Sequence, residues 1–169
     1  MSTPLSSTAV EGQDKDGTPI FVYHNFPYTI STDPARLDLE VIHGFLYHCY
    51  WSPGIPRALV EKAIHHSLCF GLYENDKQIG FARVVTDYTS FAYLADVFVL
   101  PDQRQQGLGV WLIECVLACP ALQTIRSFLL ATRDAHGLYR KFGFQNADER
   151  RMMVKRYEIS WRNPELIRE

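Results

Sequence analysis

The 169-residue chain fits one domain of ordinary size, and its 47% hydrophobic and 13% aromatic content supplies a sizeable core. That composition excludes wholesale disorder and collagen-like repetition. The 17 basic and 19 acidic side chains give a formal charge of −2, without the basic excess of a nucleic-acid-binding domain, and no apolar run is long enough to span a bilayer.

Residues 1–19, rich in Ser, Thr, Gly and Asp, are expected to form a flexible N-terminal arm, with the folded domain over residues 20–169. The opening residues lack a basic n-region and an apolar h-region, so no secretory signal is read. Ile20–Tyr23 and Tyr28–Ile30 are β-like stretches interrupted by Pro27. Ser31-Thr32-Asp33-Pro34 sets capping side chains ahead of a first-turn proline and predicts a helix start. Leu37, Val41, Phe45 and His48 then recur at helical spacing, up to about Tyr50. Pro56 opens a second helix that runs to about Leu68.

The period changes at Phe70–Glu74 and Gln78–Val85, two β-rich runs separated by the hairpin signal Asn75-Asp76-Lys77. Phe91–Leu100 is apolar on both faces except for Asp96, as expected of a strand in the middle of a covered sheet. From Gly107 the helical period returns, with Gly109, Leu112, Ile113, Val116 and Leu117 on one face and Pro120 at its end. Ser127–Thr132 reads as a buried strand, Ala135–Phe142 as a short helix closed by Gly143, and Met152–Ile159 as a last strand. This order predicts a single α/β (α+β) domain. Cys49, Cys69, Cys115 and Cys119 form no C-x-x-C pair and read as free thiols. The expectation is a soluble, reduced, cytoplasmic chain that holds no metal.

The segment richest in chemistry runs from Val97 through Pro101, Arg104, Gly107 and Gly109 into a helix. Two glycines without Cβ atoms let a ligand approach the backbone, and the amides of a helix N-terminus favour negative charge. Arg104 adds a full positive charge, which together makes a pyrophosphate cradle. No Gly-Lys-Ser/Thr follows, and position 112 is Leu where a dinucleotide fingerprint has its third glycine. The alternative is a helix entry with glycines chosen for packing.

Arg104-x-x-Gly107-x-Gly109 after a Val-rich strand resembles the acetyl-CoA signature of the GNAT superfamily of N-acetyltransferases. Ala135-x-x-x-Tyr139 followed by Gly143-Phe144 is similar to that family's second landmark. The resemblance extends from about Tyr28 to Tyr157 and, through Tyr50-Trp51, Phe81–Tyr88 and Ala131–Tyr139, reaches a bacterial and fungal subgroup with no assigned substrate. It implies the GNAT fold, a mixed and mostly antiparallel sheet with helices on both faces. It further implies an acyltransferase passing an acetyl group from acetyl-CoA, as cosubstrate, directly to a primary amine.

By the same resemblance, backbone groups of Val97, Phe98 and Val99 would pair with the pantetheine arm, and an amide near Val99 would stabilise the oxyanion. Amides across Arg104, Gln105, Gln106, Gly107, Leu108, Gly109 and Val110 would hold the pyrophosphate. Tyr139 would protonate the departing thiolate, which suits a phenol of pKa about 10. Thr132 stands where the family often has a pantetheine-contacting Asn, and Gln105 where a third glycine is frequent.

For the amine side, Asp96 is the candidate base, set against a buried ion pair with Arg83. Tyr50 and Trp51 are candidates for the acceptor pocket, and suit a cationic amine through cation–π contact. Asp87 and Tyr88 would line its entrance. His136 beside Asp134 faces either the CoA channel or solvent, and His65 has Glu61 and Cys69 a helical turn to either side. Partners are then a small-molecule or peptide amine, with no nucleic acid and no membrane, and a homodimer is common for the resembled fold. The rival function is a non-catalytic acyl-CoA-binding sensor or scaffold, and a third is a nucleotide-binding protein.

Overall fold

The computed structural model describes residues 8–157. Strands β1 (Thr8–Gln13), β2 (Pro19–Asn25) and β3 (Tyr28–Ser31) lead into helices α1 (Leu39–His48) and α2 (Arg57–His65). Strands β4 (Leu68–Glu74), β5 (Lys77–Thr86) and β6 (Phe91–Val99) follow, then α3 (Leu108–Ala118), β7 (Ser127–Leu130) and α4 (His136–Arg140). The seven strands lie in chain order in one sheet, antiparallel from β1 to β6, with β7 parallel to β6 across the α3 connection. The single α/β domain is what the residue pattern predicts, and the mostly antiparallel sheet is what the resemblance implies.

Each sheet face carries its own core. On one face α3 buries Leu108, Leu112, Ile113 and Val116 against Leu72, Ile79, Val84 and Leu94. On the other, Ile42 and Leu46 of α1 and Val60 of α2 cover Cys69, Phe81 and Phe98. Each such aliphatic side chain contributes about 1.5–3 kcal/mol through burial. All four cysteines are buried and free.

Several expectations are corrected. Part of the expected arm, Thr8–Gln13, pairs as an edge strand with β2, and the arm's first seven residues lie outside the described residues. Asp33 caps only a short 3-10 turn, Pro34–Arg36, and α1 starts later. There the Asp38 carboxylate accepts from the Glu40 and Val41 amides, while Asp38 N–H donates to Gln78 Oε1 at 2.7 Å. The buried residues of α1 are Ile42 and Leu46, with Cys49 just past its end, each one position on from the predicted Val41, Phe45 and His48. Helix α2 ends at His65, which places Cys69 on β4 and dissolves the Glu61–His65–Cys69 row.

Residues 152–157 form no strand, and Met153 is 97% exposed. Their alternation gives β propensity, but a strand needs a partner, and among the described residues β7 pairs only with β6. Residues 158–159, the end of the predicted strand, lie outside the described residues.

Candidate active site

The pairing of β6 with β7 runs from Phe91↔Ser127 to Leu94↔Leu130 and stops. Beyond it the two strands part, leaving Ala95–Val99 without a strand neighbour on that side. At the same point β6 carries a bulge: between the pairs Arg83↔Ala95 and Phe81↔Phe98, one β5 residue faces two on β6. Asp96 takes up the extra length with φ +53, a left-handed conformation that aspartate tolerates better than branched or bulky residues do.

The bulge inverts the alternation of the strand. Leu94 faces the α3 core and Phe98 the α1–α2 core, so Asp96 does not share a face with both, as strict alternation predicts. Its carboxylate instead meets Arg83, whose Nε donates to Oδ2 at 2.7 Å, and Trp51, whose Nε1 donates to Oδ1 at 3.2 Å. The ion pair weighed in the sequence is therefore formed, with Arg83 and Asp96 side chains only 17% and 14% exposed.

Past β6, a 3-10 turn at Pro101–Gln103 leads into the glycine loop. Gln105 and Gly107 both adopt positive φ, +67 and +78, which explains physically why glycine suits position 105 as well. Arg104 folds back so that its Nε donates to the Val99 carbonyl at 3.0 Å. That carbonyl, one of the backbone groups expected to meet pantetheine, already has a partner. The Gln106 side chain is likewise engaged, its Oε1 accepting from the Tyr28 hydroxyl at 2.8 Å. The Trp111 amide takes the first helical bond of α3, to Gly107 O at 3.0 Å. The amides of Leu108, Gly109 and Val110 thus have no acceptor within the helix, and no side chain caps Gly107.

Two cavities meet here. One, of about 600 Å³, follows the glycine loop and Val97, Phe98 and Val99. The other, of about 750 Å³, lies between the α1–α2 loop, β5, β6 and the start of α4. Tyr50, Trp51, Val97 and Tyr139 border both. Tyr50 and Trp51 stand edge to face with centroids 5.0 Å apart. Tyr139 is 9% exposed, and burial pushes its phenol up to about 12, so it stays protonated at neutral pH. Thr132 lines the second cavity, and its hydroxyl accepts from the Ala135 amide at 3.0 Å.

Asp87 and Tyr88, expected at the entrance, are not gathered in, and Tyr88 borders neither cavity. Asp87 sits in the β5–β6 turn, outside both cavities. There the Ser90 hydroxyl and the amides of Thr89, Ser90 and Phe91 donate to its carboxylate and hold it well below the usual range. Of the two readings of His136, the structure has the solvent-facing one: it is exposed at the start of α4 and borders neither cavity. Conversely Tyr93, Arg133 and Arg156 line the second cavity without having been singled out for it. Their only sequence signal was non-local: three chain segments converge on one space.

Residues 65–146 match the family model described as an acetyltransferase (GNAT) domain. A protein of Gibberella zeae assigned as an acetyltransferase is 30% identical over 135 residues, which cover 68% of this chain and 76% of its own. A crystal structure from Xanthomonas campestris pv. campestris, assigned to the GNAT acetyltransferases, superposes with TM-score 0.74 at 47% identity. That match covers 77% of this chain and 92% of the other. In fold alone, a GNAT family acetyltransferase of Elizabethkingia anophelis with acetyl-CoA bound has TM-score 0.58 at 17% identity, over 73% and 80% of the two chains.

Proposed function

Because the chain belongs to the GNAT acetyltransferase family and is thus an acyltransferase, we propose that it moves the acetyl group of acetyl-CoA directly to a primary amine, with no covalent acyl-enzyme. The observation that carries this reading is the position of Tyr139, a buried proton donor at the junction of the two cavities.

Acetyl-CoA fits the residues present. A Cβ on Gly107 would meet nothing within 4 Å beyond its chain neighbours, so the bare backbone leaves room for a pyrophosphate. The amides of Leu108, Gly109 and Val110, which have no acceptor within the helix, supply donors, and Arg104 supplies charge. In this reading pantetheine lies along Val97, Phe98 and Val99, in the opening that β7 vacates, near Thr132.

What acetyl-CoA contributes is an electrophilic thioester carbonyl. The amine enters from the second cavity, past the wall formed by Tyr50 and Trp51, with its lone pair toward that carbonyl. As the C–N bond forms and the C–S bond breaks, Tyr139 gives its phenolic proton to the sulfur, and the extra proton left on the acylated nitrogen then returns the tyrosinate to the phenol. The proton of the incoming ammonium passes to water at the cavity rim, where Arg133 and Asp134 are exposed. Asp96, with each oxygen already receiving a donor, serves as a positioning residue for Trp51 and Arg83, in place of the base expected from sequence.

The test is thiol release from acetyl-CoA on adding amines, with acetylated amine identified by mass spectrometry. Stoichiometric thiol and acetyl-amine are expected, together with loss of turnover when only secondary-amide analogues of the amines are supplied. Thiol release unchanged by any amine would contradict the reading.

A further inference from the structure

The acceptor cavity is walled by more than aromatic rings. Three arginines reach it, Arg83 from β5, Arg133 from the β7–α4 loop and Arg156 from the C-terminal segment, against the carboxylates Asp96 and Asp134. Both carboxylates have arginine partners. Arg83 holds Asp96, and Arg133 Nη2 stands 3.6 Å from Asp134 Oδ2. Among the described residues Arg156 has no ion pair. The Tyr50 ring is also engaged, with the Arg133 guanidinium carbon 3.7 Å from its centroid.

These contacts bear on the charge of the acceptor. A diamine or polyamine would bring a second cation into a space that offers three arginines and no unpartnered carboxylate. The tyrosine face that suits such a cation already carries a guanidinium. Like charges in a partly desolvated cavity repel more strongly than in bulk water. A carboxylate or phosphate finds the opposite: guanidinium N–H groups give charge-assisted and often bidentate bonds to such anions. A guanidinium stacked on a ring keeps its N–H edge available for that purpose.

Building on the transferase reading above, we infer that the acceptor is an amine that also carries an anionic group, a carboxylate or a phosphate. Arg156 and Arg133 receive the anion at the cavity rim, and the amine points inward to Tyr139. Arg83, held by Asp96 and donating from Nη1 to Ser67 Oγ at 3.1 Å, fixes the sheet side of the cavity.

The experiment compares matched pairs by thiol release: phenethylamine with phenylalanine, cadaverine with lysine, and ethanolamine with phosphoethanolamine. Each kcat/KM is expressed per unprotonated amine. The anionic member is expected to lead by at least about tenfold, one well-placed charge-assisted contact, in the carboxylate pairs or in the phosphate pair. Whichever it is identifies the anion. Arg156→Gln is expected to shrink that ratio at least about fivefold, with the thermal shift given by CoA retained as evidence of folding. Equal or reversed preference in every pair overturns the inference while leaving the transferase reading intact, as does a ratio unmoved by Arg156→Gln. No turnover of any member, with the CoA shift present, overturns the transferase reading and this inference with it.

Discussion

Gly107→Glu is expected to remove measurable CoA binding. Gly107 holds φ +78 at the entry to α3, where a side chain costs on the order of 1–2 kcal/mol. The larger effect is electrostatic. A Cβ there meets open space, so in the proposed cradle a glutamate would set its carboxylate beside the pyrophosphate. Two like charges about 4 Å apart at an effective dielectric near 20 cost about 4 kcal/mol. The strain lowers the stability of the fold, and the electrostatic cost alone corresponds to a loss of about 10³-fold in affinity. Isothermal titration with CoA measures it, and the unfolding profile without ligand reports whether the variant remains folded. Retained affinity within tenfold would mean that the phosphates lie elsewhere. Gly109 gives the contrast: a Cβ there would make an ordinary 3.9 Å contact with Val99 Cγ2, so alanine fits at that position.

Tyr139→Phe is expected to lower kcat by about 10²-fold or more, the usual contribution of a positioned general acid, while the affinity for acetyl-CoA stays within about twofold. The phenylalanine keeps the ring that stands edge to face with Phe144, centroids 5.8 Å apart, so packing is preserved and only the proton donor is lost. With the phenol pushed up to about 12, Tyr139 remains a competent acid through neutral and mildly alkaline pH. The steady-state rate at saturating acetyl-CoA is the measurement, and turnover at the wild-type rate would remove Tyr139 from the chemistry.

How much of this was legible in the sequence follows from how local each signal is. The glycine loop was legible because its requirements are local: Gly107 needs positive φ, Gly109 a small side chain, and α3 an apolar run after them. The β4–β5 hairpin was legible for the same reason, with Asn75 taking φ +54 in a tight turn. The helix α1 was misphased because Val41 and Phe45 are as apolar as Ile42 and Leu46, so helical spacing alone cannot choose between the two stripes. The bulge at Asp96 left no local mark either. Alternation through Leu94, Asp96 and Phe98 looks regular, and only pairing with β5 displays the extra residue.

The ion pair of Asp96 with Arg83 was legible as a pairing between neighbouring strands. The meeting of Arg83, Arg133 and Arg156 was not, since it joins residues from three distant segments around a space that exists only in the fold. Met152 to Tyr157 shows the reverse failure, where a correct local propensity finds no paired edge among the described residues.

Thermal unfolding of the wild-type protein with acetyl-CoA, CoA, ATP and NAD in parallel tests the cradle most directly. A ligand at a hundred times its Kd adds about 2.7 kcal/mol, or about 5–10 °C for a domain of this size. The expected result is a rise of that order with acetyl-CoA and CoA, and none with ATP or NAD at the same concentration. No rise with either CoA species at millimolar concentration, or an equal rise with all four ligands, would contradict acetyl-CoA binding at Arg104–Val110.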